Sequence, residues 1–299
     1  MKFGKVEQPE LVNFTMPNTH LSTEVVLAKK GDANALNVSV GCAKWNRQDL
    51  KGFYPRGTKD ELVYYASQFN SIELNATFYR IFPVEQYQKW YDKTPDNFKF
   101  FPKITNEISH LRRLNEQIYP TIDRYLEHTA NLKEKLGTIF LQMHNNFGPK
   151  NWDRVVRFVE YWPKEFPLAM EFRHTDWFND ENVSKELYHL LEENNIANIL
   201  VDTAGRRDLL HMRLTTNEAF VRYVGANHET DYQRMEDWVE RLADWHAKGL
   251  SNIHFFVHQN LELASPLLST HFIKKLNKKL NINLHIPNTP GSNSPDLFN

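Results

Sequence analysis

Short apolar runs bounded by turn residues recur along the chain, and most of the gaps between them hold segments with helical periodicity. Period-two alternation is typical of strands, and a repeated strand–helix rhythm is typical of a parallel α/β fold. Eight such units predict an α/β fold made of a single, closed (β/α)8 barrel of the TIM type. The predicted strands are 37–41, 71–75, 98–103, 138–144, 168–173, 198–202, 220–224 and 253–258.

Several of the connecting segments carry helix signals. Thr-Lys-Asp-Glu at 58–61 reads as a capping box that opens a helix. The segment 232–248 has apolar residues at helical spacing and is followed by Gly249, as a helix C-terminus should be. The segment 204–217, after the sixth predicted strand, is short and is the weakest of the eight units. Further helices are predicted at 153–161, 183–193 and 266–280.

The two ends of the chain differ from its middle. Residues 1–36 show no periodic element, which predicts an N-terminal arm that wraps the barrel. Residues 37–282 form the predicted barrel domain. Residues 283–299 are interrupted by proline and glycine, which predicts a flexible, disordered C-terminal tail.

Polar residues lie on one face of several predicted strands. Glu73 and Asn75 share a face opposite Ile72, and Glu171 and Arg173 share a face of another strand. The outer face of a barrel packs against helices, so the polar face should point into the lumen, and catalytic groups of such barrels lie at the C-terminal ends of the strands. We therefore expect one rim to gather Glu73, Asn75, Lys103, Gln142, His144, Glu171, Arg173, Asp202, Arg222 and His258.

Composition narrows the class of protein. The chain has 299 residues, 41% apolar and 24% charged, as expected of a globular protein. Its 36 basic residues nearly balance 37 acidic ones, which argues against nucleic-acid binding by bulk charge but not against a local basic site. Cys42 is the single cysteine, so no intramolecular disulfide can form. The chain shows no secretory signal and no run of about 18 apolar residues, so we expect a cytoplasmic protein without a membrane span.

Seven motifs stand in order along the chain. They are Gly-Cys-Ala-Lys-Trp at 41–45, Lys-Gly-Phe-Tyr-Pro at 51–55, Ile-Glu-Leu-Asn-Ala-Thr-Phe-Tyr at 72–79, Phe-Lys-Phe-Phe-Pro-Lys at 98–103, Ile-Ser-His at 108–110, Glu-Phe-Arg-His at 171–174 followed by Trp177, and Val221-Arg222 with Gly225. Together they resemble the domain of unknown function 72 family, also called YecE-like, from about 38 to about 280. The resemblance implies a TIM-type barrel and supplies no biochemical activity.

Two positions depart from the pattern of that family. Val224 stands where the family motif has a histidine before Gly225, and 255–260 reads Phe-Phe-Val-His-Gln-Asn in place of an Asn-rich stretch. A role that depended on the missing histidine would be lost or would shift to His258.

The acids of the expected cluster suggest acid–base chemistry. Glu73 and Glu171 are the predicted proton donor and acceptor, the arrangement that many sugar hydrolases and some isomerases use. Asp202 is the third predicted catalytic acid. The alternative is structural, with ion pairs Glu73–Lys103 or Glu171–Arg222 filling the lumen. No tight ligand motif indicates a metal, so no metal ligand is assigned, although these acids with His144 or His258 form an oxygen- and nitrogen-rich set.

The cations and aromatic residues of the rim suggest the ligand. Lys103, Arg173 and Arg222 form a predicted clamp for phosphate or carboxylate, unless each pairs with one of the acids. Trp45 and Tyr79 follow strand ends and are predicted to stack on the ligand. Other predicted site residues are the acid or base His110 and the substrate-binding Asn75, Gln142 and His258.

Two classes of function follow from these residues. The first is an enzyme, a hydrolase or isomerase that acts on an anionic small molecule through acid–base chemistry; no cofactor is identified. The second is a non-catalytic protein that binds nucleic acid or a phosphorylated metabolite at the same rim, and a link to DNA processing belongs to this second class. Ser-Pro-Asp-Leu-Phe at 294–298 also resembles, without its lead residue, short peptides that bind bacterial sliding clamps.

Overall fold

Parallel strands supply the frame of the molecule. The computed structural model describes residues 4–30 and 36–289. All strand pairs in it are parallel: β8, β7, β6, β5 and β4 follow β1 in one six-stranded sheet, and β2 pairs with β3 in a second sheet. Each predicted strand is present, and no strand end differs from its predicted position by more than two residues. The strands are β1 (Asn37–Cys42), β2 (Ser71–Leu74), β3 (Lys99–Pro102), β4 (Ile139–Gln142), β5 (Leu168–Glu171), β6 (Ala197–Thr203), β7 (Glu218–Gly225) and β8 (Asn252–Gln259).

The expected closed barrel is wrong, because the six-stranded sheet curls into a half-barrel and the eight strands do not form one continuous ladder. Between β3 and β4 the connection is limited to backbone bonds from Gly137 N to Phe100 O at 2.8 Å and from Ile104 N to Phe140 O at 2.9 Å. β2 and β3 pair with each other over four residues each and form a separate two-stranded sheet.

Side chains replace backbone pairing between β1 and β2. The Tyr65 hydroxyl accepts from Cys42 N at 2.7 Å and donates to Ser71 O at 3.0 Å. Gly41 lies so close to β2 that a Cβ atom there would stand 2.1 Å from Ser71 O. The side-chain amide of Asn70 likewise forms hydrogen bonds with backbone groups of β1. The two sheets therefore meet through inserted polar side chains.

Helices cover the outer face of the strands. The helix after β1 is capped by Asp60, whose carboxylate accepts from Leu62 N at 3.0 Å and Val63 N at 3.2 Å, so the predicted cap at Thr58 is wrong. Gly249, with φ of 116°, follows the long helix before β8 as predicted. The helices are α1 (Leu21–Lys30), α2 (Glu61–Gln68), α3 (Val84–Asp92), α4 (Tyr119–Thr129), α5 (Trp152–Tyr161), α6 (Asp176–Asn179), α7 (Glu181–Glu193), α8 (Thr230–Ala247) and α9 (Ser265–Leu280).

Short helical turns occupy several loops. The segment after β6 contains only the 3-10 helix Ala204–Leu209, in agreement with its weak helix signal. A π-helix, Glu107–Leu111, follows β3. None of the helices among the described residues is long and apolar enough to cross a membrane.

The N-terminal segment packs along the body of the protein and contains α1, an element that its sequence pattern did not reveal. Thr23 Oγ1 donates to Met212 O at 3.1 Å and accepts from Leu214 N at 3.0 Å. Trp245 Nε1 on α8 donates to Thr19 Oγ1 at 2.9 Å.

The described part of the C-terminal segment lies against α9 and α2. Leu284 N donates to Asn277 Oδ1 at 2.9 Å, and Asn288 N donates to Gln68 Oε1 at 2.8 Å. Residues 290–299, and with them the clamp-like peptide, lie outside the described residues.

Candidate functional site

The inner face of the strands is built in layers. Aromatic rings fill one layer, in which Phe101 packs on Phe256 at 4.8 Å between ring centroids and Phe140 packs on Phe220 at 5.5 Å. Side chains on one face of a strand recur every second residue, so the next inward positions lie closer to the C-terminal ends. Those positions carry polar groups, here called the polar layer. Its members are Glu73, Lys103, Gln142, Glu171, Arg222 and His258.

Arg222, on β7, lies at the centre of the polar layer and contacts carboxylates from two other strands. Its Nε and Nη2 donate to the two carboxylate oxygens of Glu73 at 2.9 and 2.8 Å. Its Nη1 donates to Glu171 on β5. Burial opposes the charge, but the two carboxylates outweigh burial and raise the pKa of Arg222. One buried cation therefore joins two acids that belong to different sheets.

Glu73 has polar partners on every side. Besides Arg222, its carboxylate contacts His258 Nε2 at 2.9 Å and accepts from Asn75 Nδ2 at 2.8 Å. Burial alone would raise the pKa of Glu73, but the charge of Arg222 and the contact with His258 hold that pKa well below its usual range. Glu73 is therefore an anion in the resting protein.

Glu171 is also an anion. Its carboxylate forms ion pairs with Arg173 and Arg222 and accepts from Gln142 Nε2 at 3.1 and 3.2 Å. Burial raises the pKa of this carboxyl, but the two guanidiniums prevail and lower it to about 2.

These contacts decide between the two interpretations of the acids only in part. The ion pair Glu171–Arg222, which the structural alternative required, is present. Glu73 pairs with Arg222 and not with Lys103. Neither carboxyl carries a proton near neutral pH, because the pKa of each is lowered.

Lys103 differs from the other cations of the polar layer. Its Nζ donates to Gln142 Oε1 at 2.8 Å and lies 4.2 Å from the centre of the Phe78 ring. No carboxylate forms an ion pair with it within the described ranges 4–30 and 36–289. Burial, together with the charge of Arg222, lowers the pKa of Lys103 to about 7. Its amine can therefore gain and lose a proton near neutral pH.

A cavity of about 680 Å³ opens above the polar layer at the C-terminal ends of the strands. This rim cavity has a volume in the range of small-molecule sites. Its floor includes Lys103 and Arg222, and its wall includes the exposed ring of Tyr79. Of the predicted site residues, the rim cavity is lined by Trp45, Asn75, Tyr79, Lys103, His110, Gln142, Arg173, Arg222 and His258.

His110 lies on the π-helix, at the side of the rim cavity. Its ring packs edge-on against Phe78 at 4.9 Å and His144 at 5.2 Å, and its Nδ1 contacts Ser109 Oγ at 2.8 Å. Burial and then the charge of Lys103 lower its pKa to about 4, so the imidazole is neutral at pH 7. Single π-helical turns are frequent at functional sites.

Asp202 does not join the polar layer, which corrects the sequence-based expectation. Its carboxylate lies on the outer face of β6, toward α8, where it accepts from Arg234 Nη2 and Trp238 Nε1, each at 2.7 Å, and pairs with Arg207. These three partners compensate the charge of the buried carboxylate, so a structural role is enough to explain its burial. Among the described residues, no group of three or more His, Cys, Asp or Glu side chains could hold a metal ion.

Three charged loop residues of the rim cavity were missed from the sequence. Lys44 and Asp49, in the loop after β1, form an ion pair at 3.0 Å beside Trp45. Glu262 follows β8 and accepts from Ser265 Oγ at 2.8 Å. The sequence signal for these residues was their position in the loops that follow strand ends, because those loops form the active face of such folds.

Fold and site together define a parallel α/β protein whose half-barrel sheet carries a buried charge network beneath a rim cavity. The chain belongs to the family described as protein of unknown function DUF72, whose model matches residues 39–292. It is similar to UPF0759 protein YecE of Escherichia coli strain K12, with 26% identity over 235 residues, which cover 72% of this chain and 85% of that protein. UPF0759 protein YunF of Bacillus subtilis strain 168 is 23% identical over 236 residues, 69% of this chain and 83% of that protein.

Solved structures support the fold. A DUF72 family protein from Thermotoga maritima matches with a TM-score of 0.65 and 24% identity, over 80% of this chain and 99% of that one. A DUF72 family protein from Enterococcus faecalis matches with a TM-score of 0.65 and 20% identity, over 84% of this chain and 100% of that one. These neighbours establish the fold alone.

Proposed function

We propose that the rim cavity is the active site of an enzyme that binds a phosphate- or carboxylate-bearing small molecule and transfers a proton to or from it. The observation that carries this proposal is the position of Lys103, a buried lysine that lines the rim cavity, donates to Gln142 and, among the described residues, pairs with no carboxylate. Its burial and the neighbouring charge of Arg222 lower its pKa to about 7. A group of this pKa serves as both proton donor and acceptor at neutral pH. Such groups cluster at functional sites.

The balance of charge favours an anionic ligand. Glu73 and Glu171 are matched by Arg222 and Arg173, so a protonated Lys103 adds one positive charge to the floor of the rim cavity. An anion entering the cavity offsets that charge in surroundings that screen it poorly. Arg173 adds a guanidinium at the edge of the same cavity.

The other predicted site residues take supporting roles in this proposal. The two glutamates hold Arg222 and Arg173 in place instead of exchanging protons themselves. Neutral His110 accepts or donates a hydrogen bond at the cavity wall, and Trp45 and Tyr79 flank the ligand. Asn75, Gln142 and His258 orient the charged groups; Gln142, for example, bridges Lys103 and Glu171.

Sulfate binding tests the proposal, because the charge of sulfate is constant across neutral pH. Affinity should be flat below pH 7 and fall by up to about tenfold per pH unit above it, since Lys103 loses its proton as pH rises through a pKa of about 7. Over this range Glu73, Glu171, Arg173 and Arg222 stay charged and His110 stays neutral. At pH 6, Lys103→Met should weaken binding about tenfold or more, as expected for one charge-assisted bond. Isothermal titration calorimetry measures both effects.

Lys44→Met is the matched control, because Lys44 also lines the rim cavity but pairs with Asp49 at its exposed edge. Its effect on sulfate affinity should stay within about threefold. Equal losses in the two variants, or a pH profile that Lys103→Met leaves unchanged, would contradict the role given to Lys103.

A binding protein without a chemical step is the second candidate, and one observation favours it. A groove of about 850 Å³ adjoins the rim cavity at Tyr79. Its lining includes Arg80, Arg112, Arg124 and His128, together with Glu107, which pairs with Arg112. An extended polyanion, such as single-stranded nucleic acid, would follow this groove. Its affinity should then fall about tenfold or more between 50 and 200 mM salt, because phosphate contacts release counterions.

A fluorescent oligothymidylate and fluorescence anisotropy measure this salt dependence. Arg124→Gln should make the dependence shallower if the groove is the binding surface. If the oligonucleotide does not bind at 50 mM salt, or if Arg124→Gln leaves its binding unchanged, this candidate is ruled out.

A further inference from the structure

We infer that Lys103 is a nucleophile that forms an imine with an aldehyde or ketone carrying an anionic group. The inference rests on the proposed function, because it places the carbonyl compound in the same rim cavity. It goes further by naming the bond that the site makes and the chemical class of the ligand.

The backbone of Lys103 is fixed where a nucleophile needs it. Lys103 N donates to Leu74 O at 3.2 Å, and its carbonyl accepts from Thr77 Oγ1 at 2.7 Å, so neighbours from β2 and the following turn hold the residue. Lys103 is 7% exposed and is one of the residues that line the rim cavity. Gln142 Oε1 and the Phe78 ring position Nζ. The amine is therefore held in place and reachable from the cavity.

Lys135 provides an internal contrast. It too is buried, but its Nζ donates to Tyr91 O and Thr94 O, each at 2.7 Å, away from the rim cavity. Two carbonyl acceptors hold that amine as a structural donor. Lys103 has one neutral acceptor, Gln142, and faces open space on the cavity side.

The neutral amine is the reactive form, and Lys103 supplies it at neutral pH. An ordinary lysine is neutral in about one molecule in two thousand at pH 7. The pKa of about 7 leaves about half of the Lys103 amines neutral. Desolvated lysines beside other cations are the type that forms Schiff bases in proteins. Here the cations are Arg222 and Arg173.

The proposed step balances without a further reactant. The Nζ lone pair forms a bond to the carbonyl carbon, and the carbonyl oxygen takes one amine proton to give a carbinolamine. The carbon–oxygen bond then breaks, and the oxygen leaves as water with the second amine proton. The product is an imine that joins Nζ to the former carbonyl carbon.

The surroundings of Lys103 select the carbonyl compound. Arg173 at the cavity edge suits a carboxylate or phosphate, and the aromatic wall of Trp45 and Phe78 excludes water from the carbon skeleton. A compound with the anionic group a few bonds from the carbonyl reaches both cations. Small 2-oxo acids and phosphorylated aldehydes have that chemistry.

Trapping with pyridoxal 5′-phosphate, an aldehyde that carries a phosphate, tests the inference on the full chain. The protein is incubated with the aldehyde at pH 7, reduced with borohydride, and mapped by peptide mass spectrometry. We expect Lys103 to be labelled at least about a hundredfold faster than exposed lysines, given their neutral fractions. Lys103→Arg should remove that label while Lys89→Arg, which changes an exposed lysine of α3 outside the rim cavity, keeps it, and circular dichroism checks that both variants are folded.

The outcomes separate this inference from the proposed function. Labelling spread evenly over the lysines, or unchanged in Lys103→Arg, overturns the imine. Sulfate binding that depends on Lys103 in the absence of any Lys103 label overturns the imine and leaves the anion site standing. A Lys103 label that sulfate does not slow supports the imine and overturns the proposed anion site.

Discussion

Replacing Arg222 by methionine should lower the free energy of unfolding by about 3–5 kcal/mol, the usual effect of removing one partner from a buried ion pair. The substitution keeps most of the side-chain volume but leaves Glu73 and Glu171 without their shared cation. Both carboxylates are at most 1% exposed, so water cannot replace the lost hydrogen bonds. Glu73 suffers more, because it loses two charge-assisted hydrogen bonds at once.

Urea unfolding followed by fluorescence measures this effect. Arg112→Met is the matched control, because Arg112 pairs with Glu107 on a partly exposed face and should change the free energy of unfolding by less than about 1 kcal/mol. If Arg222→Met costs no more than that control, the charge network does not hold the fold together.

Replacing Asp202 by alanine should also lower the free energy of unfolding by about 3–5 kcal/mol. The carboxylate is buried and satisfies Arg234, Arg207 and the indole of Trp238. Its removal leaves Arg234, itself 2% exposed, with Asp231 as its remaining carboxylate partner. The outer face between β6 and α8 would then hold two guanidiniums, those of Arg234 and Arg207, against the single carboxylate of Asp231.

Two measurements distinguish this structural role from the catalytic one that the sequence suggested. Urea unfolding should show the loss, whereas Asp208→Ala, which removes an exposed pair with Arg206, should cost less than about 1 kcal/mol. Sulfate affinity of folded Asp202→Ala should match that of the unchanged protein. Loss of sulfate binding by a folded, stable variant would return Asp202 to the functional site.

The sequence predicted the strands and most of the polar layer, because the pleat alternates with a fixed period. That period places Glu73, Lys103 and Arg222 inward once the apolar side of each strand is known. In β6, Ala-Asn-Ile-Leu-Val-Asp-Thr, apolar residues occupy both faces, so the phase of the alternation is unreadable. Asp202 was misplaced for this reason.

The sequence pattern could not show whether the strands close into a barrel. The number of strands is visible in the alternation, but their pairing depends on tertiary contacts. At the junction of β1 and β2, the Tyr65 hydroxyl and the Asn70 amide take backbone groups that a ladder would have paired. Tyrosine on an amphipathic helix carries no signal for such a role.

The pairing of charges was equally hidden. Glu73 and Arg222 lie 149 positions apart, on strands that are not neighbours in either sheet. Which acid meets which cation depends on distances across the lumen, and local patterns contain no information about those distances. Among the described residues, Lys103 forms no ion pair with a carboxylate, and the proposals rest on this observation. It follows from the same distances across the lumen.

The ion pair between Arg222 and Glu73 also joins two sheets that share no continuous backbone ladder. Arg222 belongs to the six-stranded sheet and Glu73 to the two-stranded one. This ion pair therefore connects the two sheets where the backbone ladder is interrupted. An anion that captured Arg222 would compete with Glu73 and loosen the junction of the two sheets. An anion held by Lys103 and Arg173, as proposed above, would leave the ion pair between Arg222 and Glu73 intact, so binding and release of such a ligand would not disturb the contact between the two sheets.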